Sequence, residues 1–365
     1  MTTKILMPVR TVAEWGGLHE WVFHSVLDLQ SIGCEVVVVG QDGLFRERVE
    51  AIGAQFVVVD WSDWAASMTD VVQSGPWTKI FSHGPHARNL ALRAAELTGT
   101  PVYHMIHGAY LDQVNEWSPR VETILAASPS VQDFVVRVGK VEPWKVAVVP
   151  NGVPDAVFDL RYRSLEEKIA DGVGTVVTAA RLAPDKVNQI EPTITLMQTL
   201  HDVFPDTAWI LNVMGDGPLR HQFEGAYDEA LGGMNRVKIE YSGWVAPEEV
   251  PKRMNTAVAA CVAGMGGVRA LASGTLTVGV GAQGSVGVQR AGNLRAGIWS
   301  NFGDHGCPRF RPSDIRGDLA EVFETGSYDE IVKLARNSCR LHRSESIVRS
   351  AMFDALDLRP DENGR

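Results

Sequence analysis

Short apolar runs alternate with amphipathic segments of helix length along almost the whole 365-residue chain. In the first half, the apolar runs are 5–9, 35–39, 56–59, 79–82 and 102–106. The helix-length segments around them are 17–32, 44–52, 86–98 and 129–138. Near-continuous apolar runs are expected where helices cover both faces of a sheet. The alternation therefore predicts an α/β fold with a doubly wound parallel sheet.

The alternation pauses at the polar, turn-rich segment 151–174 and then restarts. The second set of predicted strands is 175–180, 209–215, 237–243, 257–263 and 276–281. Segment 282–312 predicts long loops around one short strand near Ile298, and helices are expected at about 313–324, 328–340 and 343–356. We therefore predict two α/β domains, residues 1–158 and 159–340, with the ligand site in the cleft between them.

Charge and cysteine usage exclude several classes of protein. The net charge is −10, and both halves of the chain are acidic, which disfavours duplex nucleic acid and anionic membranes as partners. No apolar run approaches the ~18 residues of a membrane span, and the first residues lack the pattern of a signal peptide, so a cytoplasmic protein is expected. The four cysteines lie far apart without a CxxC pair, which predicts neither a disulfide framework nor a zinc site.

The loop after the first predicted strand contains Gly16-Gly17 at the start of a helix. Glycines at such a position let backbone approach a ligand, and free N–H groups at a helix start favour an anion or a hydroxyl. A tight turn without a ligand explains the pair equally well. The loop lacks the GxGxxG fingerprint, and no acidic residue ends the second strand, so a dinucleotide dehydrogenase is a poor fit.

Histidines cluster near the ends of two predicted strands. His83, His86 and His104 are interpreted as hydrogen-bonded structural histidines. His107 follows a strand and precedes Gly108, at the sheet edge where open α/β folds bind ligands. No carboxylate or cysteine joins these histidines at the spacing of metal ligands, so we predict no metal site.

Two cations follow the first strand of the second set. Arg181 and Lys186 lie in the loop after TVVTAA, where two positive charges suit a diphosphate and an arginine can bind it bidentately. A solvated loop explains the same spacing equally well. The next predicted strand ends in Gly215-Asp216-Gly217, a turn that leads into a helix.

The order of these features resembles the GT-B-fold glycosyltransferases, specifically the large retaining family four. Gly16-Gly17 is similar to the family's Gly-Gly loop, and His107-Gly108 to its strand-end histidine. Four further segments resemble its PNGV turn, GRL…K loop, GxGP turn and hxGxV strand end: Pro150–Val153, Arg181-Leu182 with Lys186, Gly215–Pro218 and Tyr241–Val245. The resemblance spans roughly residues 4 to 280.

The resemblance implies a GT-B fold of two Rossmann-like domains facing across a cleft, with the final helix, 341–358, returning to the N-terminal domain. It implies retaining, metal-independent transfer of a hexosyl or pentosyl group from a nucleotide-diphosphate sugar, UDP-sugar by default, without a further cofactor. Arg181 and Lys186 would hold the diphosphate, and His107 would touch the transferred sugar. The Gly-Gly loop would shape the donor–acceptor junction, and Trp244-Val245 would flank the base.

The chain departs from the family at its paired glutamates, one near the donor sugar and one on the ribose hydroxyls. Aligning RALASG with the family's EAMAxG places Arg269 at the second glutamate. The first has no counterpart, and Ala263 and Cys261 are the nearest candidates. Because arginine accepts no hydrogen bond, nucleotide recognition must differ from the family's.

Backbone groups offer a substitute at the same place. Gly264, Gly266 and Gly267 precede a predicted helix start, where free N–H groups can contact phosphate. Arg269 either adds a third cation to that contact or abolishes binding.

Seven of the ten tryptophans precede residue 158, the half that accommodates acceptors in the family, and Trp15 beside the Gly-Gly loop is the predicted acceptor-side aromatic. The leading hypothesis is a retaining glycosyltransferase with a small or protein-borne acceptor. A catalytically degenerate relative that serves as a binding or assembly module is the alternative from another class. A modifying glycosyltransferase of a phage or an antibiotic pathway, with an unusual donor, is the third.

Overall fold

The computed structural model describes residues 2–11, 15–110, 112–306 and 314–358. They form two compact units. The N-terminal unit comprises the chain up to Pro150 together with the residues from Arg349 on, and the C-terminal unit is Asn151–Val348. The chain thus passes between the units before the predicted 158/159 boundary and after the predicted 340/341 boundary. The end of the predicted segment 341–358 belongs to the N-terminal unit.

A seven-stranded sheet forms the N-terminal unit, in the order β3-β2-β1-β4-β5-β6-β7 with every pairing parallel. Its strands are β1 (Lys4–Pro8), β2 (Glu35–Gly40), β3 (Gln55–Val58), β4 (Lys79–His83), β5 (Val102–Ile106), β6 (Thr123–Ala126) and β7 (Val146–Val148). Its helices are α1 (Gly17–Ser31), α2 (Leu44–Ala51), α3 (Met68–Gln73), α4 (Pro85–Thr98), α5 (Val114–Trp117) and α6 (Pro129–Arg137), with short 3-10 turns at Ser118–Arg120 and Pro143–Lys145.

The central strands of this sheet are buried on both faces. Ile5, Leu6 and Met7 in β1 have no solvent exposure, and all five residues of β5 are buried. This explains why these strands appear in the sequence as continuous apolar runs rather than alternating ones.

A six-stranded sheet forms the C-terminal unit, in the order β10-β9-β8-β11-β12-β13. Its strands are β8 (Val173–Ala179), β9 (Ala208–Met214), β10 (Val237–Gly243), β11 (Ala259–Val262), β12 (Leu276–Gly281) and β13 (Gly284–Val288). Its helices are α7 (Leu165–Lys168), α8 (Ile190–Val203), α9 (Arg220–Leu231), α10 (Val250–Thr256), α11 (Gly264–Ala272), α12 (Ala291–Ser300), α13 (Ile315–Glu324) and α14 (Tyr328–Arg343), with 3-10 turns at Asp155–Asp159 and Pro184–Gln189. The chain then continues into α15 (Glu345–Ala355).

The predicted doubly wound architecture is confirmed in both units. The prediction around Ile298 was wrong, because Ile298 lies in helix α12 and the strand is β13, which pairs antiparallel with β12. Gly292 and Gly297 interrupt the apolar pattern of α12, so its helical period is weak in the sequence. Asn301, in the left-handed conformation at φ 55°, ends this helix.

Within the described part of the chain, no helix combines the length and apolarity needed to cross a membrane. Cys34, Cys261 and Cys339 are buried free thiols, and Cys307 lies outside the described residues.

Candidate functional site

The sheet of the C-terminal unit reverses its winding direction at β8. From β8 the chain winds outward through β9 and β10 on one side and through β11 and β12 on the other. Loops that leave the carboxyl ends of the strands at such a point diverge and leave room for a ligand. The predicted donor residues fall in the loops after β8, β9 and β10 and in helix α11, which follows β11.

The loop after β8 holds the two predicted cations, which have different surroundings. The Arg181 side chain is 44% exposed, and its guanidinium lies 3.5 Å from an Asp185 carboxylate oxygen. The Lys186 side chain is only 15% exposed, and its Nζ lies 3.3 Å from Asp185 Oδ2 and 2.5 Å from Asp304 Oδ1. Both cations thus share one carboxylate, and Lys186 has a second that the sequence analysis did not identify.

The turn after β9 packs directly on the loop after β8. Gly215 has φ 131°, and a Cβ there would lie 1.9 Å from the carbonyl oxygen of Ala180. Its N–H donates to the carbonyl oxygen of Gly243, 2.7 Å away, at the end of β10. Only glycine fits this position. Through Gly215, the ends of β8, β9 and β10 are in direct backbone contact.

Helix α11 begins against the same strand ends. A Cβ at Gly266 would lie 3.1 Å from the carbonyl oxygen of Ala179, and one at Gly267 would lie 2.5 Å from the Phe302 ring. Gly266 therefore lets the first turn of α11 approach the end of β8, and Gly267 leaves room for the Phe302 ring. The N–H groups of Gly264 and Gly267 already donate to the carbonyl oxygens of Asn301 and Ala263, so the amides of Met265 and Gly266 are the ones left in this turn for a ligand.

Three predicted donor residues lie at the margins of this arrangement. Trp244, directly after β10, is 60% exposed, and Val245 packs against a small apolar cluster that contains Val250. Arg269 lies in the last turn of α11 rather than the first. The roles of Trp244, Val245 and Arg269 stay predictions.

In the N-terminal unit, the winding reverses between β1 and β4. His83 ends β4 and forms a bridge with Val9 just after β1. Its Nδ1 lies 3.1 Å from Nε2 of His107, which follows β5, and the Trp21 ring packs against both imidazoles at centroid distances of 5.3 and 5.4 Å. The structure thus places the predicted sugar-binding His107 in a hydrogen-bonded pair.

Burial keeps His83 from adding positive charge to this pair. Desolvation, followed by the neighbouring imidazoles of His107 and His104, holds the pKa of His83 well below its usual range. His104 is fully buried beside Ser82, and desolvation, followed by the nearby charge of Arg88, holds its pKa well below its usual range. A neutral His83 can donate one proton to His107, which fixes the orientation of the His107 ring. The predicted structural role of His83 and His104 agrees with their complete burial, whereas His86 is exposed.

The Gly-Gly loop of the N-terminal unit precedes helix α1, whose first residue is Gly17. A Cβ at Gly16 or Gly17 would meet no atom within 4 Å, so these glycines leave open space beside the backbone. Trp15 stacks on His19 at 5.6 Å, and the guanidinium of Arg48 lies 4.1 Å from its ring. Part of the Trp15 surface is therefore covered by the chain itself, and its acceptor-side role stays a prediction.

The residues that the sequence analysis missed come from outside the expected motifs. Asp304 follows α12 and reaches Lys186 across 118 positions of sequence, so no local pattern indicates it. The sequence did contain a signal for His83. His83 ends β4 and His107 follows β5, and these two strands are adjacent in the sheet, so the two histidines come together. Among the residues that the structure describes, no group of three His, Cys, Asp or Glu side chains is arranged to hold a metal ion.

No protein-family model matches this sequence, and no curated protein matches it either. Solved structures are similar over nearly the full chain. A glycosyltransferase from Rickettsia africae has a TM-score of 0.73 at 12% identity, covering 99% of each chain. The Anabaena protein Alr3699/HepE in complex with UDP and glucose has a TM-score of 0.71 at 15% identity, covering 97% of this chain and 99% of its own.

A third similar structure belongs to a protein of a different proposed activity. A proposed UDP-N-acetylglucosamine 2-epimerase from Listeria monocytogenes has a TM-score of 0.62 at 12% identity, covering 98% of this chain and 96% of its own. At such identities the likeness establishes architecture rather than chemistry. With its two Rossmann-like units and parallel-sheet cores, the chain has the GT-B fold.

Proposed function

We propose that this chain is a glycosyltransferase that moves a sugar, with retention of configuration, from a nucleoside-diphosphate donor to a small or protein-borne acceptor. The observation that carries the proposal is the convergence in the C-terminal unit. Arg181, Lys186, Gly215 and the start of α11 meet at the point where the sheet reverses its winding. UDP is the expected nucleotide, because the Anabaena neighbour is described with UDP and glucose.

The two cations retain hydrogen-bond donors for a diphosphate. Lys186 has three N–H donors and pairs with two carboxylates, and Arg181 has five and pairs with Asp185 through one nitrogen. Negative charge develops on the diphosphate as its oxygen leaves the anomeric carbon with the bonding electrons. Cations at that oxygen therefore stabilise the transition state more than the ground state. We propose that they do so without a divalent metal.

The acceptor completes the reaction. Its hydroxyl oxygen forms the new bond to the anomeric carbon on the face that the diphosphate leaves, and its proton passes to the departing phosphate oxygen. In the N-terminal unit, the proposal assigns His107 to contact with the sugar, held by its hydrogen bond to His83. It assigns the open backbone at Gly16 and Gly17, with Trp15, to the acceptor side.

A binding module without catalysis is the second candidate, and one observation favours it. Asp185 and Asp304 offset the charges of Arg181 and Lys186, so these four groups carry no net formal charge. A diphosphate would be attracted less strongly to this site than to two unpaired cations.

A panel of nucleotide sugars tests the proposal. Purified protein is incubated with UDP-, GDP-, ADP- and dTDP-sugars, with and without EDTA, and sugar release, transfer and epimerisation are followed by NMR. We expect one donor to be turned over with retained anomeric configuration in EDTA. Calorimetry with the free nucleoside diphosphates separates the candidates. Binding heat is expected from the glycosyltransferase, whereas a catalytically degenerate module is expected to give neither heat nor turnover, and that result refutes the glycosyltransferase.

Variants locate the site within the same assay. Arg181→Ala and Lys186→Ala are each expected to lower turnover about 10²–10³-fold, and Arg181→Lys to recover only part of it, because an ammonium cannot reproduce a bidentate guanidinium contact. Unchanged turnover in the alanine variants at positions 181, 186 and 269 would place the active site elsewhere.

A further inference from the structure

The turn that follows helix α12 has an unusual backbone. Asn301, Phe302 and Gly303 are consecutive residues in the left-handed region, at φ 55°, 59° and 87°. For Phe302, which has a large side chain, this conformation costs energy, and the surrounding packing must maintain it. The Phe302 ring has no solvent exposure and packs where a Cβ on Gly267 would lie 2.5 Å from it.

Hydrogen bonds from two other segments hold the same turn. The carbonyl oxygen of Asn301 accepts from the Gly264 N–H at 3.1 Å, and that of Gly303 accepts from the Gln283 N–H at 2.8 Å. The turn is thus tied to the first residue of α11 and to the loop between β12 and β13. Its next residue is Asp304, and these contacts fix where the carboxylate lies.

The two oxygens of Asp304 have different environments. Oδ1 accepts from Lys186 Nζ at 2.5 Å and from the Ala282 N–H at 3.1 Å. Oδ2 accepts no hydrogen bond from the described residues, and it lies 2.6 Å from where a Cβ on Gly264 would stand. Gly264, at φ 54°, therefore provides the space that the carboxylate occupies. One oxygen anchors the side chain, and the other is available as an acceptor.

The charge of Asp304 is unfavourable for a diphosphate at this place. Any diphosphate bound to Lys186 lies close to Asp304, and two anionic groups repel each other. An ionised carboxylate can only accept hydrogen bonds, and an ionised phosphate oxygen has no proton to donate to it. The sugar attached to that diphosphate, by contrast, carries hydroxyl groups that donate hydrogen bonds.

We propose that Asp304 determines donor specificity by accepting, through Oδ2, a hydrogen bond from a hydroxyl of the donor sugar. The inference rests on the proposed function. Asp304 thereby has two opposite effects, since its charge weakens binding of the free diphosphate while its oxygen strengthens binding of the diphosphate sugar. The ratio of the two affinities is the quantity that it controls.

Calorimetry with UDP, UDP-glucose, UDP-galactose and UDP-N-acetylglucosamine on the full chain measures that ratio. Wild-type protein is expected to bind at least one of the three UDP-sugars about tenfold or more tightly than UDP. A hydrogen bond to a charged group accounts for a difference of this size. Asp304→Asn is expected to bind UDP more tightly than wild type and to lose that preference for the sugar. Circular dichroism establishes that the variant is folded.

Asp185→Asn is the matched control. Asp185 also pairs with Lys186, at 3.3 Å, so this variant removes the same charge near the same cation. It is expected to bind UDP more tightly as well, but to keep the wild-type preference for the sugar.

The outcomes separate the two proposals. If wild-type protein binds neither UDP nor any of the three sugars, the inference about Asp304 fails for UDP donors, and the proposed function fails too if the GDP, ADP and dTDP donors of the panel also do not bind. If UDP binds, the inference about Asp304 is overturned by a wild type without preference for any sugar. It is also overturned by an Asp304→Asn variant that keeps the preference, or by one that weakens UDP and UDP-sugar equally. In those cases Asp304 only holds Lys186.

Discussion

Arg181 and Lys186 have the same proposed ligand but different importance for the folded chain. Arg181 is nearly half exposed, and among the residues that the structure describes its one ion pair is a 3.5 Å contact with Asp185. Lys186 is largely buried against Asp304, whose own side chain is 16% exposed. Exposed ion pairs contribute little to stability, whereas removing one partner of a buried pair leaves a charge without compensation.

The two alanine variants should therefore differ in stability although both lose activity. Lys186→Ala is expected to lower the free energy of unfolding by about 1–3 kcal/mol, because Asp304 Oδ1 loses its ammonium partner. Arg181→Ala should stay within about 0.5 kcal/mol of wild type. Urea unfolding followed by tryptophan fluorescence measures both, with Lys186→Arg as the charge-conserving control. Equal stabilities for the two alanine variants would contradict the burial difference.

The turns between elements depend on backbone contacts that only glycine permits. Gly215→Ala is expected to lower the free energy of unfolding by about 1–3 kcal/mol or more, because the new Cβ must avoid the carbonyl oxygen of Ala180 in an unfavourable conformation. Gly225 in α9 is the matched control, since a Cβ there would meet no atom within 4 Å. Gly225→Ala should stabilise the chain by about 0.5–1 kcal/mol. Chemical denaturation of both variants checks the prediction, and a neutral Gly215→Ala would refute it.

The elements themselves were largely predictable, because burial of the strands on both faces leaves an unambiguous apolar run. The exceptions have physical causes. Strands β6 and β7, with four and three residues, are too short to show a period, and the glycines of α12 hide its helix. The candidate site was predictable where its residues lie in the loop that follows a strand, as Arg181, Lys186 and His107 do. Asp304 was not, because its place depends on a turn held by two distant segments.

Buried neutral histidines make the stability of the whole chain depend on pH. Burial lowers the pKa of His19 in the N-terminal unit and of His305 in the C-terminal unit to about 4. Between about pH 6.5 and 4 the unfolded chain therefore binds more protons at these residues than the folded chain does. Their contribution to stability is complete above about pH 6.5 and is lost as the pH falls toward 4.

Unfolding free energies measured at pH 7, 6 and 5 should reveal this loss. Each of the two histidines contributes up to about 1.4 kcal/mol per pH unit in this range. His19→Gln and His305→Gln are each expected to flatten the dependence, whatever their effect on stability at pH 7. A wild-type free energy that is constant from pH 7 to pH 5, or variants with the wild-type slope, would contradict the assignment.

The N-terminal unit is assembled from two separate stretches of the chain, and Arg349 in the second lies 3.6 Å from Asp28 in the first. During synthesis, the ribosome must complete all of Asn151–Val348 before the last piece of the N-terminal unit exists. The first unit begun is thus the last one finished, although domains that are continuous in sequence fold in the order in which they are made. For the same reason, a single genetic crossover cannot exchange either unit whole. A new C-terminal unit must enter as an insertion, with two junctions placed correctly at once.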